Sequence, residues 1–159
     1  MTRKAATFWP IALLVLAVDV LSKRAVVAHL SPWGPPVRVI GDAVRLALAY
    51  NTGAAFSMTL GSASRWGFTA LALVALLVLG VTYRAARAND VRQAAAIGLI
   101  VGGALGNLLD RLRSSAGVVD FIDVGIGAHR FWTFNVADAG VTVGAIALAV
   151  LALRGDSRR

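Results

Sequence analysis

Residues 94–111 read AAAIGLIVGGALGNLLDR, an apolar run that stops on Asn107, Asp110 and Arg111. A helix needs about 20 apolar residues to cross a bilayer, with roughly 17 as the lower limit. The run is slightly short, so the helix is expected to continue a turn into its polar end, setting an amide, an acid and a guanidinium at a membrane boundary. Asn107 and Asp110 lie one turn apart and face the same way, and Arg111 can pair with a nearby acid. Gly102-x-x-x-Gly106 in this run and Gly140-x-x-x-Gly144 further on allow close helix packing. That spacing says nothing about chemistry.

Outward from this run, the chain repeats the pattern. It is 58% hydrophobic and 15% charged over 159 residues, with a mean hydropathy of +0.73. A soluble domain is rarely so apolar, so the composition points to a single integral membrane domain. Spans are expected at about 6–30, 67–84, 94–110 and 136–153, with regions 31–65 and 111–135 outside the cell membrane. The first begins behind Arg3 and Lys4 as a signal peptide does, but its apolar core runs on through AVDVLSK without a convincing cleavage site. An uncleaved helix is expected.

The net charge of +8 does not indicate nucleic-acid binding. Eight of the sixteen Lys and Arg residues are packed into the start of the chain, the 84–92 link and the tail after 153, while the other eight are spread out. Density therefore places both termini in the cytoplasm. Between the first two spans, SPWGPP forms a stiff turn. VRVIGDAVRLALAYNTG then reads as two short strands around Gly41-Asp42, and 111–135 holds a further strand pair. Strands cannot stay unpaired in lipid, so they belong at the surface. Residues 57–64 read as a loop leading to Trp66, an interfacial anchor.

The chain contains eight Asp, no Glu and no Cys. An acid beside a membrane span is costly to keep and so marks a functional site by default. Asp120 in GVVDFID and Asp138 in FNVADAG border adjoining spans and could meet at one depth. Two close carboxylates share a proton, so one can activate water while the other polarises a carbonyl. The bland alternative for Asp138 is a helix cap, with Asn135 at the N-cap and the acid at N3. Asp123 could replace Asp120, and spacing does not choose between them. Asp19 and Lys23, four apart, share a helix face: either Lys23 snorkels outward with Asp19 neutralising it, or the pair holds a loop or substrate backbone. Asn51 beside Gly53 reads as an ordinary loop residue. A metallopeptidase H-E-x-x-H and a serine-hydrolase G-x-S-x-G are both missing.

Together, Asp19-x-x-x-Lys23, NTGAAFS at 51–57, GGALGNLLDR at 102–111, VVDF at 118–121 and FNVAD at 134–138 resemble the lipoprotein signal peptidase (signal peptidase II) family of bacteria. The resemblance implies a bundle of four transmembrane helices with a small extracytoplasmic β-cradle and a short surface helix over the site. It also implies an intramembrane aspartyl endopeptidase of the inner membrane, without metal or cofactor. Its substrate would be a diacylglyceryl-modified prolipoprotein, cut on the amino side of the lipidated cysteine. It selects Asp120 and Asp138 as the catalytic pair. Asn51, Asn107, Asp110, Arg111, Asn135, Asp19 and Lys23 become supporting positions, with Asn51, Asn107 and Arg111 expected to grip the substrate backbone. Membrane lipid is an expected partner and nucleic acid is not. The competing reading is a small polytopic transporter with an Asp/Arg ion relay.

Overall fold

A computed structural model describes residues 1–52 and 62–156 of the chain. Helix α1 spans Arg3–His29, α2 Ser62–Ala85, α3 Val91–Arg113 and α4 Val136–Asp156. Strands β1 (Val37–Ile40), β2 (Val44–Asn51), β3 (Val118–Ile126) and β4 (His129–Arg130) join in the order β1-β2-β3-β4, with every pairing antiparallel. The two separate strand pairs expected from the sequence are therefore one sheet, because β2 and β3 pair along most of their length. The chain turns between β1 and β2 through Gly41 at φ 52°, a left-handed conformation suited to glycine. The short surface helix does not occur among the described residues. Most of NTGAAFS and of the 57–64 loop lies outside them.

Among the described residues, three helices are long and apolar enough to cross a membrane: Ser64–Ala85, Val91–Arg113 and Val136–Arg154. The third run does continue past its apolar part, and α3 reaches three residues into the region expected to lie outside. In α1 the usual polarity is inverted. Trp9, Leu13, Leu14 and Leu21 are exposed, while Asp19 and Lys23 are buried.

Helices α1, α3 and α4 pack through glycine. A Cβ on Gly102 would fall 2.6 Å from the Ala12 carbonyl of α1, and one on Gly144 would fall 2.7 Å from the Ala96 carbonyl of α3. Gly106 differs, because a Cβ there would meet the Asp19 carboxylate at 2.5 Å. Its missing side chain is the slot that admits this acid. At the opposite end of the bundle, Lys4 Nζ donates to the carbonyls of Tyr83 (2.8 Å) and Ala86 (2.7 Å), binding the start of α1 to the end of α2. The start of α1 and the α2–α3 link therefore share one end, and the sheet occupies the other.

Candidate active site

Where α1, α3 and α4 meet the sheet, their polar residues form one connected network. Lys23 is 4% exposed and does not snorkel. The spacing correctly paired it with Asp19, but the outward orientation was wrong, since α1 turns this face to α3. Its ammonium has three partners: it donates to Asn107 Oδ1 at 3.0 Å and forms ion pairs with Asp19 Oδ2 and Asp110 Oδ2, each at 2.8 Å. The other oxygen of Asp19 accepts from Ala137 N at 2.8 Å, so α1 supplies a partner to an open amide in the first turn of α4. Asp110 Oδ2 also accepts from Val119 N at 3.2 Å, tying the end of α3 to β3. Asn107 and Asp110 do face the same way, both onto Lys23.

Two amides carry the network to the two candidate acids. The lysine fixes the oxygen of Asn107 inward, and its Nδ2 then donates to Asp138 Oδ1 at 2.7 Å. Asn135 is fully buried. Its Oδ1 accepts from Asp138 N at 2.8 Å, and its Nδ2 donates to Asp120 Oδ1 at 2.7 Å and to Asn107 Oδ1 at 3.1 Å. Asp138 Oδ2 returns to accept from Asn135 N at 3.3 Å, which completes a capping box at the start of α4. The cap reading of Asp138 is therefore correct, and the same carboxylate still belongs to the network. Asn51 Nδ2 donates to Asp120 Oδ2 at 3.2 Å. Gly117 makes this approach possible: at φ 99°, a Cβ there would lie 2.3 Å from the Asn51 carbonyl.

Arg111 forms no ion pair among the described residues. Its Nη1 donates to Asn107 O at 3.3 Å, and its guanidinium lies over the Phe68 ring, 5.6 Å from the centroid. It remains within the electrostatic reach of Asp138, Asp120 and Asp110. Asn107, expected to grip a substrate, has its oxygen filled by Lys23 and Asn135 and its nitrogen on Asp138.

The alternative acid, Asp123, has a different setting. Arg45 Nη2 lies 2.7 Å from its Oδ2 and Arg130 Nε 2.9 Å from its Oδ1. These hydrogen-bonded guanidiniums hold its carboxyl below the usual range. Arg45 and Arg130 also reach Asp42, so the cluster fastens the β1–β2 turn to β3. Sequence reading missed this clamp. Asp120, 4% exposed, is pushed up to about 6 by burial and then by the charge of Asp138. An acid with a raised folded-state value stabilises the fold below its unfolded value of 3.8, and that contribution is lost as pH rises through about 6. The loss corresponds to about 3 kcal/mol. Thermal unfolding in detergent should show the unmodified chain losing about that much more stability than Asp120→Asn between pH 3.5 and 7.5. Parallel pH profiles for the two proteins would contradict the burial argument.

The profile of the family described as Signal peptidase (SPase) II matches residues 11–154. A lipoprotein signal peptidase of Rhodococcus jostii is 45% identical over 91% of this chain and 71% of its own length. One from Coxiella burnetii is 38% identical over 99% of this chain and 98% of its own. A solved bacterial membrane enzyme superposes with a TM-score of 0.86 at 28% identity, covering 97% of this chain and 92% of that one.

Proposed function

The chain belongs to the signal peptidase II family, and from that premise we propose that Asp120 and Asp138 are its catalytic pair. It is a peptidase of the bacterial inner membrane that removes signal peptides from lipoproteins. Membership displaces the transporter reading. The observation carrying the assignment is that Asn107 and Asn135 join these two carboxylates to each other.

In the proposed reaction, Asp120 holds the shared proton, in keeping with its burial, and Asp138 is the ionised base. Asp138 removes a proton from water, and the resulting hydroxide adds to the scissile carbonyl carbon. Asp120 gives its proton to the carbonyl oxygen, forming a neutral diol. As the C–N bond breaks, Asp138 protonates the departing amine and Asp120 recovers its proton from the diol. Lys23, Asp19, Asp110, Asn107 and Asn135 position the pair, and Asn51 and Arg111 are proposed to meet the substrate backbone.

The substrate is proposed to carry diacylglycerol on the cysteine that follows the cut. Each buried CH₂ contributes about 0.8 kcal/mol, so two acyl chains fix the scissile bond at the depth of the pair. The test is cleavage of one prolipoprotein with and without its diacylglyceryl group in the same detergent, read by intact mass. A large loss without the lipid is expected. Equal rates would leave a membrane aspartyl protease indifferent to lipid.

We further propose that α1 is a fourth crossing, since Trp9, Leu13, Leu14 and Leu21 face outward while Asp19 and Lys23 face inward. Both termini would then be cytoplasmic and the sheet extracytoplasmic, in line with the dense positive charge at the other end. The chain has no native cysteine, so Ala128→Cys should react with an impermeant thiol reagent in intact cells, and Ala88→Cys only after lysis. The reverse labelling would overturn this orientation.

A further inference from the structure

A groove on the outside of the bundle follows the contact between α1 and α3. Its upper part, about 390 Å³, is lined by Val20, Lys23, Arg24, Val27, Asp110 and Arg113, the Asp110 carboxylate being paired with Lys23. Its lower part, about 470 Å³, is lined by Leu13, Leu16, Ala17, Leu21 and Leu109. Val20, Arg24 and Arg113 line both parts, so the groove is continuous.

The periodicity explains its form. Positions 13, 17, 20 and 24 make one stripe of α1, and Leu109 and Arg113 are one turn apart on α3. The stripe from Leu13 to Arg24 is roughly 16 Å long at 1.5 Å per residue. That is about half of the ~30 Å hydrocarbon core, the depth of one leaflet. Arg24 and Arg113 are exposed at the mouth, and neither enters an ion pair among the described residues. Two guanidiniums above an apolar channel of this depth complement a phosphodiester above an acyl chain.

We propose that the groove holds one phospholipid of the extracytoplasmic leaflet, its phosphate on Arg24 and Arg113 and one chain along the α1 stripe. The diacylglyceryl group of the substrate carries no phosphate and offers these arginines only neutral ester oxygens, so the charge of the groove favours a phospholipid over the substrate lipid. The inference rests on α1 crossing the membrane. Cysteine labelling tests that reading on its own, so the two can fail independently.

The experiment is native mass spectrometry of the purified full chain with phosphatidylglycerol or with diacylglycerol of the same acyl chains. One phosphatidylglycerol should be retained per chain, at least tenfold more tightly than diacylglycerol. R24Q/R113Q should lose at least tenfold of the phosphatidylglycerol retention and leave diacylglycerol unchanged. Ala17→Trp, which fills the channel, should reduce both. Prolipoprotein cleavage by each variant verifies folding, and if R24Q/R113Q fails to fold, the lipid comparison and Ala17→Trp decide. No retained phospholipid, equal retention of the two lipids, or undiminished retention by a folded R24Q/R113Q overturns the proposal. So does undiminished retention by Ala17→Trp.

Discussion

Asp120→Asn and Asp138→Asn are each expected to slow prolipoprotein cleavage about a thousandfold or more, the range in which a positioned acid or base contributes. Each change keeps the size of the side chain and removes its capacity to exchange a proton. Asn at 120 can still meet one of the two amide donors now on Asp120, from Asn51 and Asn135, so the local fold should persist. Asn at 138 can still receive Asn107 through its oxygen. The informative comparison is Asp123→Asn. It breaks the clamp to Arg45 and Arg130, so it should lower the melting temperature while cleavage per folded molecule stays near normal. Loss of turnover in Asp123→Asn together with normal turnover in Asp120→Asn would exchange the two assignments.

Lys23→Met is expected to be the most damaging single change to stability, at about 3–5 kcal/mol, the usual cost of removing one partner from a buried ion pair. Methionine fills similar space, so the effect comes from charge. Asp19, with no exposed surface, would lose its cation and keep only the Ala137 amide. Asn107 would lose one of the two donors to its oxygen and keep Asn135, which loosens the direction in which its Nδ2 faces Asp138. Cleavage should fall as well, through misplacement of the base. Adding Asp19→Asn to Lys23→Met should restore part of the melting temperature, because the orphaned charge is then gone. If Lys23→Met melts with the unmodified chain, the network is not held by this ion pair.

Much of this arrangement was legible in the sequence. The apolar runs gave the long helices, the Gly41-Asp42 turn gave the first strand pair, and Asn135 with Asp138 gave the cap of α4. The remainder depends on which way elements turn. An i,i+4 spacing pairs Asp19 with Lys23 but does not say whether that face meets lipid or α3. The available signal is Gly106, whose missing side chain leaves a gap sized for a carboxylate as well as for close helix packing. Likewise, two carboxylates three apart on β3 look alike in sequence. Arg45 and Arg130 reach Asp123 from 78 and 7 residues away, and only the fold brings them there. The joining of the two strand pairs into one sheet is equally non-local, since β2 and β3 are separated by two helices.

The most direct test of the central claim, that the two acids act as one unit, is single-turnover cleavage by the unmodified chain, Asp120→Asn, Asp138→Asn and the double variant, all read by intact mass on one lipid-modified prolipoprotein. If they share one proton cycle, removing the second acid takes away nothing the first has not already removed. The double variant should then be no more than a few-fold slower than the slower single variant. Losses that multiply, with the double variant slower by the product of the two single effects, would contradict the account.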